Sequence, residues 1–269
     1  MKRISVERAF LAARGFVAGE WRLLIPVVLA FLALPPLAVD LLVPAQDRVI
    51  VMPAAGADQI PAAFGWLLPL SLGMLLMTML GGLAITVLAL VPGISVREAI
   101  LIAVRRLPAQ IGASLIVGLG LGVGATLVAT VGALAGVPLE TLQALVIVLV
   151  LAGAVALSVR LAALTPLLVD RRVGPWQAIR LAWMISRGAL ARLFGAMALY
   201  VAGAAILVIA IEKALGGVLL LAGYSLGQAE IAKALVAVID ACAGAAMSAG
   251  FYILLAALYR ELGRTSSGI

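Results

Sequence analysis

Six apolar runs, each long enough to cross a lipid bilayer, constrain the fold of this chain more than any other feature. A transmembrane helix needs about 20 consecutive apolar residues. The runs lie at about residues 23–43, 64–91, 111–134, 142–169, 190–214 and 235–258. Of the 269 residues, 65% are hydrophobic and only 12% are charged, and the mean hydropathy is +1.24. A soluble core of this size cannot hide so much apolar surface. The sequence therefore predicts an all-α integral membrane protein with about six transmembrane helices.

Three short basic amphipathic segments divide the chain into three pseudo-repeats. They begin at Ser5, Ser95 and Gly174. Each is expected to run for about four turns on the membrane surface and to end at a glycine or proline, namely Gly19, Pro108 and Gly188. We predict one multi-pass domain in which each repeat is an amphipathic surface helix followed by a transmembrane hairpin. The repeats span about residues 5–92, 95–170 and 174–260, and a polar, disordered tail follows at 261–269.

Local signals indicate how several elements begin and end. Ser95 and Glu98 have the spacing of a capping box, and Pro175 follows Gly174 at the first helical position, where proline is tolerated. Prolines at positions 26, 35 and 36 predict a kinked first span. Residues 44–61 are expected to form an exposed loop with a short strand at 49–52. Residues 216–234 leave two alternatives open, a re-entrant turn or an interfacial helix, because their apolar part is too short to cross.

The basic residues lie mainly on one side of the predicted spans. Fifteen are expected on the side of the three surface helices and three on the opposite side. By the positive-inside rule, this places both termini and the surface helices in the cytoplasm, beneath a bacterial cytoplasmic membrane. The same rule accounts for the net charge of +7 and the pI of about 10.3, so we expect no nucleic-acid partner.

The chain lacks the residues that most catalytic mechanisms need. The chain contains no histidine and a single cysteine, Cys242, inside an apolar run. This excludes histidine-based acid–base catalysis, histidine metal ligands and every nucleophile that is paired with a histidine. Lysine occurs only at Lys2, Lys213 and Lys233, at or beyond the ends of the predicted spans. We therefore expect a protein that is not an enzyme and that binds no metal or cofactor.

Arg160 is the most informative single residue because it lies inside a predicted span. It stands ten positions before Asp170, where that span ends, and would lie about 15 Å into the helix. An ionisable group at such a depth indicates a functional site, but an arginine can also snorkel to the interface or pack against helix-end carbonyls. Both alternatives stay open. Asp240 is a second intramembrane candidate, expected at a different depth and too far from Arg160 to pair with it.

The remaining candidates are surface and packing residues. Arginines that could bind anionic lipid head groups or a partner protein are Arg97, Arg105, Arg106, Arg171, Arg172, Arg180, Arg187 and Arg192. Aromatic side chains expected to anchor the protein at the membrane interface are Trp21, Trp176, Trp183 and Tyr259. In the third surface helix, we expect Arg180 and Arg187 on a different face from Trp176, Ile179 and Trp183. Small-residue spacing that lets helices pack closely in lipid occurs at Gly118, Gly120, Gly122 and Gly124.

Three short motifs stand together around the third surface helix. They are RLAALTPLLVD at 160–170, GPWQAI at 174–179 and WMISRG at 183–188. Together with residues 95–106, they resemble the membrane domain attached to some bacterial glycerophosphodiester phosphodiesterases, over roughly residues 95–260. In that family the membrane domain precedes a soluble catalytic barrel with histidines and carboxylates around a divalent metal. This sequence has no histidine to supply such a site, and we expect no catalytic barrel to accompany it. The resemblance therefore implies a stand-alone relative of the membrane module, without phosphodiesterase activity.

These observations support two hypotheses of different classes. The first is a non-enzymatic membrane module that organises anionic lipid, or a protein partner or second copy, through its basic surface helices. The second is a small transporter or exporter of amphiphiles or peptides, with Arg160 in a cavity between repeats. The recurrence of the basic surface helix three times favours the first.

Overall fold

The computed structural model describes residues 5–43, 64–171, 173–187 and 189–266. The expected loop at 44–61 and its strand at 49–52 lie outside these residues. The helices are α1 (Val6–Val28), α2 (Leu34–Leu42), α3 (Phe64–Leu90), α4 (Val96–Leu134), α5 (Leu139–Arg160), α6 (Leu164–Asp170), α7 (Pro175–Ile185), α8 (Leu190–Ile211), α9 (Gly217–Ser225) and α10 (Ala229–Ser266). Two π-helical segments, Leu29–Ala33 and Glu212–Gly216, join α1 to α2 and α8 to α9.

Within the described residues, six helical units are long and apolar enough to cross a membrane. They are Val6–Leu41, Pro69–Leu90, Val96–Leu134, Leu139–Asp170, Leu190–Ser225 and Ala229–Gly263. The prediction of an all-α, multi-pass membrane protein with six spans is confirmed.

Local sequence signals specify several of the helix ends. Ser95 caps α4: its Oγ accepts from the backbone N–H of Glu98 at 3.3 Å, and the Ser95 N–H donates to the Glu98 carboxylate at 3.0 Å. Gly174 is the N-cap of α7, and Pro175 occupies the first turn. The π-helical segment 29–33 lies between the first-span prolines, where proline's missing N–H interrupts the regular hydrogen-bond ladder.

The spans follow one another around a ring. α1 packs on α3, α3 on α4, α4 on α5, α5 on α8, α8 on α10, and α10 on α1. α10 also crosses the ring to contact α3, and the short α6 packs against α3, α4, α7 and α10. We call the end of the bundle that carries residues 6–19, residues 96–108 and α7 the collar, and the opposite end the outer end.

The hydrophobic core lies near the collar. Its most deeply buried side chains come from the end of α3, from α6, from the start of α8 and from the last third of α10, and include Leu83, Ile85, Leu167, Leu168, Leu193, Leu254 and Leu258. Toward the outer end, α4, α5 and α8 face outward. Within the most apolar 18-residue stretch of each helix, only 6% of α4 is buried, against 50% of α3. These three helices therefore present most of their surface to lipid.

The three amphipathic segments connect to their spans in three different ways. α1 continues from the first segment into the first span, with a kink at Glu20, whose φ of −115° and ψ of 18° are non-helical. α7 is a separate helix that ends at Ile185, and Gly188 lies outside the described residues. The predicted end at Pro108 is wrong, because α4 runs through it. The carbonyl that Pro108 leaves without a helical partner belongs to Val104, which is 48% exposed and can be hydrated at the collar.

The predicted polar tail is also wrong over its first part. α10 continues to Ser266, and the side chains of Glu261 and Leu262 are buried at 6% and 5% exposure. Contacts with α1 hold these residues: the Arg8 guanidinium lies 3.7 Å from the Glu261 carboxylate, and Leu262 belongs to the cluster around Ala9.

Residues 216–234 form neither of the two expected structures. α8 passes through the π-helical segment into α9, and a turn with Gly227 at φ +69° then leads into α10. The fifth span and this segment are therefore one helical unit, which packs along α10.

Candidate functional site

Arg160 is the last residue of α5, so the helix that was expected to continue from it to Asp170 is interrupted. Leu161 has φ −98° and ψ 12°, and residues 161–163 form a turn before α6. Pro166 explains the break, because a continuous helix would leave the Ala162 carbonyl without its partner, whereas proline is tolerated in the first turn of α6. With 22 residues, α5 is about 33 Å long and can cross the bilayer's apolar layer of about 30 Å by itself. α5 alone is therefore long enough for a span, and Arg160 lies at its collar end.

The guanidinium of Arg160 stacks on an aromatic ring of the third surface helix. Its Cζ atom lies 4.4 Å from the centroid of the Trp183 ring, within the range of a cation–π contact. Arg160 is half-buried, and within the described part of the chain no acidic side chain forms an ion pair with it. The stacking restricts where the guanidinium points. No acidic side chain among the described residues neutralises its charge.

Arginines and tryptophans share the outward face of α7, which corrects the expectation of separate faces. Trp176, Arg180, Trp183 and Arg187 line one surface depression together with Ile179 and Met184. Spacings of four and three residues bring Trp176, Arg180 and Trp183 into one stripe of α7, and Arg187 lies in the turn after the helix ends at Ile185. The opposite face packs inward through Ala178 and Ala182, which are fully buried. α7 is thus attached by its small residues, and together with the turn after it the helix presents two cations and two indole rings outward.

An apolar groove between α5 and α8 begins at Arg160 and extends toward the outer end. Its volume is about 760 Å³. Apart from Arg160, every lining side chain is apolar: Val148, Leu151, Ala152, Val155, Ala156, Val159, Leu190, Ala191 and Phe194. Leu151 is 65% exposed and Phe194 50%, so the groove is open along its length. One cationic group at the collar thus adjoins a long, open apolar groove.

The other predicted arginines are distributed around the collar. Arg97, Arg105 and Arg106 lie on α4, and Arg192 is exposed in the first turn of α8. Arg171 is exposed at the end of α6 beside Asp170 and Tyr259. Arg172 lies outside the described residues. The structure thus brings Arg160 together with the α7 face through Trp183, whereas Arg97, Arg105 and Arg106 belong to another helix.

Asp240 lies apart from this site. Its charged neighbours are Glu212, Asp40 and Lys213, at the outer end, and one of its carboxylate oxygens is buried without a hydrogen-bond partner among the described residues. The expectation that Asp240 and Arg160 do not pair agrees with this placement.

Polar contacts that the sequence did not reveal join the last turns of α10 to other helices. The Tyr259 hydroxyl donates to the Asp170 carboxylate at 2.8 Å, so this predicted interface anchor also links α10 to α6. Arg260 donates to the backbone carbonyl of Leu90 at 2.9 Å. A helix end leaves carbonyls unpaired, and Arg260 supplies a donor at the end of α3. A tyrosine next to an arginine near a helix end is the signal that could have indicated such contacts.

The remaining candidates differ in their surroundings. Trp21 is 50% exposed, with the Arg22 guanidinium 5.5 Å from its ring centroid. No described atom lies within 4 Å of a Cβ built at Gly118, Gly120, Gly122 or Gly124. Close helix contacts occur instead at other glycines, such as Gly82 against Tyr252 and Gly132 against Leu142. The described part of the chain therefore supplies no close packing partner at the four predicted glycines.

The described residues hold no group of three or more histidine, cysteine, aspartate or glutamate side chains that could hold a metal ion. No known protein family, curated protein or solved structure matches this chain. The resemblance to the phosphodiesterase membrane domain stays a prediction, and a functional proposal has to rest on the collar itself.

Proposed function

We propose that this protein is a non-enzymatic module of the bacterial cytoplasmic membrane, with its collar toward the cytoplasm, that organises anionic phospholipid around itself. The observation that carries the proposal is the outward surface of α7 and of the turn after it, on which Arg180 and Arg187 alternate with Trp176 and Trp183. We retain the predicted kinship with the phosphodiesterase membrane domain as part of this proposal.

The chemistry of this face suits a lipid head-group region. Tryptophan favours the membrane interface because its ring is apolar and its N–H is polar. An arginine near an anionic membrane surface contributes about 1 kcal/mol of attraction. Arg180 and Arg187 are exposed, and among the described residues no acidic side chain forms an ion pair with either. Their charge is therefore available to lipid phosphates.

The transporter hypothesis finds less support. It requires Arg160 in a cavity between repeats, but Arg160 lies at the end of an open groove and is stacked on Trp183. A substrate there would face the lipid, and a cation at the collar end is better placed to meet a head group than to line a path across the membrane.

Lipid exchange in nanodiscs tests the proposed function. Discs would contain phosphatidylcholine with increasing phosphatidylglycerol, and native mass spectrometry would count each lipid retained by the protein. Replacing Arg180 and Arg187 by glutamine removes about 2 kcal/mol of attraction, so preference for phosphatidylglycerol should fall by about 30-fold.

The matched control replaces two outer-end lysines. Lys213 and Lys233 are already paired, at 3.2 Å to Glu212 and 2.8 Å to Glu230, so Lys213→Gln with Lys233→Gln should leave the preference unchanged. If both double variants lost the same preference for phosphatidylglycerol, net charge alone would explain the effect. That result would contradict a specific role of the collar.

A further inference from the structure

The geometry points to a binding site for one anionic phospholipid in the groove between α5 and α8. Its phosphate would lie at Arg160, and one acyl chain would follow α5 from Val159 to Val148. This inference rests on the proposed function and makes it specific, because it names one site, one leaflet and one class of lipid.

The length of the groove matches a single leaflet. From Val159 to Val148 the helix rises by about 17 Å, and half of an apolar layer of about 30 Å is about 15 Å. The groove thus begins at the head-group level of the collar and ends near the bilayer midplane, which is the span of one acyl chain.

The lining of the groove suits an apolar occupant. Ala152 and Ala156 leave space on α5, and Leu190 and Phe194 face α5 near Arg160, at the start of α8. Because these residues offer no polar side chain to a hydrogen-bonding ligand, a polar peptide or a free phosphate ion would leave the groove's length unused. A hydrocarbon chain fills such a channel without desolvating polar groups.

Arg160 selects the charge of the occupant. A guanidinium binds phosphate through paired hydrogen bonds and is less strongly hydrated than an ammonium. One face of Arg160 is covered by Trp183, which restricts its orientation while leaving its N–H edge free of acidic partners in the described chain. Arg187, in the turn after α7, lines the same surface depression as Trp183 and adds positive potential. The site therefore favours a lipid of net negative charge over a zwitterionic one.

Tryptophan fluorescence gives a local measurement of occupancy. The chain has four tryptophans; replacing Trp21, Trp66 and Trp176 by phenylalanine leaves Trp183 as the reporter. The full-length protein would be placed in phosphatidylcholine vesicles with rising fractions of phosphatidylglycerol whose acyl chains carry bromine, a contact quencher. Quenching should saturate at a low fraction of brominated phosphatidylglycerol, and brominated phosphatidylcholine should give no saturation. Each trace would be normalised to the same variant in unbrominated lipid.

Two variants examine the head and the chain separately. Arg160→Gln should raise the half-saturating fraction by about tenfold, as expected for loss of a hydrogen bond to a charged group. Ala152→Phe should do the same by filling the groove without changing charge. Ala30→Phe is the control, since Ala30 is exposed on the first span and does not line the groove; it should change the fraction by less than twofold, within ordinary variation for a surface substitution.

The outcomes separate this inference from the proposed function. Equal quenching by the two brominated lipids, or no response to both Arg160→Gln and Ala152→Phe, would overturn the site. If Arg180→Gln with Arg187→Gln still lowered phosphatidylglycerol retention in that case, the collar would organise lipid without a defined binding site. If Arg160→Gln fails to fold, Ala152→Phe alone decides, because the two brominated lipids can be compared in that variant.

Discussion

The surroundings of Arg160 are determined by its position at the end of α5. A guanidinium halfway through a span would need a buried counter-ion or water, whereas one at the collar can reach the head-group region. The cation–π contact with Trp183 then determines which way it points. One residue thereby connects the surface helix α7 to the lipid-facing groove.

Tyr259 permits a test of packing at the scale of one hydrogen bond. Tyr259→Phe removes the donor to Asp170 while keeping the ring. Because the contact is exposed, we expect a loss of about 1 kcal/mol, seen as a fall of about 2–4 °C in the thermal midpoint in detergent. Tyr224→Phe is the control, since Tyr224 is 64% exposed at the outer end and should be neutral. Equal midpoints for both variants would show that the Asp170 contact does not stabilise the fold.

Helix starts and turns follow from local sequence, but several helix ends do not. The capping box at Ser95 and the Gly174–Pro175 start involve neighbouring residues only, so both could be predicted. Pro108 was expected to end a helix, but its exposed position lets α4 continue. Glu261 sits in a polar stretch, yet contacts with α1 keep it in a buried helix. Such outcomes depend on packing between segments that are distant in the sequence. The hydrophobic periodicity of one segment does not predict that packing.

Glycines in turns and glycines in helices should respond to alanine in opposite directions. Gly93 joins α3 to α4 with φ +81° and has no described atom near its built Cβ, so Gly93→Ala should lower stability by about 1 kcal/mol through backbone strain alone. Gly122 lies inside α4 and is equally open, so Gly122→Ala should raise stability by about 0.5–1 kcal/mol. Unfolding in detergent measures both. Destabilisation by Gly122→Ala would indicate a helix from another molecule packed there, as the small-residue spacing predicts.

Across the whole molecule, packing is concentrated at the collar while the outer parts of α4, α5 and α8 face outward. The apolar runs predict six spans because lipid solvation depends on composition and length. They do not predict the ring order, the burial of α6 or the groove between α5 and α8, because these arise from which helix surfaces meet. The candidate site was therefore only partly visible: Arg160, Trp183, Arg180 and Arg187 could be named from the sequence, but not their convergence.

The arrangement of spans makes a prediction about sidedness. Gln177 is exposed on α7, at the collar, and Gln228 is exposed in the turn before α10, at the outer end; α8 lies between them and crosses the membrane once. In a Cys242→Ser background, Gln177→Cys and Gln228→Cys should react with a membrane-impermeant maleimide from opposite sides. With the collar in the cytoplasm, Gln228→Cys should be labelled in intact spheroplasts and Gln177→Cys only in inverted vesicles.

Two different failures can be recognised in this labelling experiment. Labelling of both cysteines from one side would mean that α8 does not cross the membrane. Exchange of the two patterns would keep all six spans but turn the collar outward. The basic face of α7 would then meet the wrong leaflet, and the proposed organisation of cytoplasmic lipid would be wrong while the fold stands.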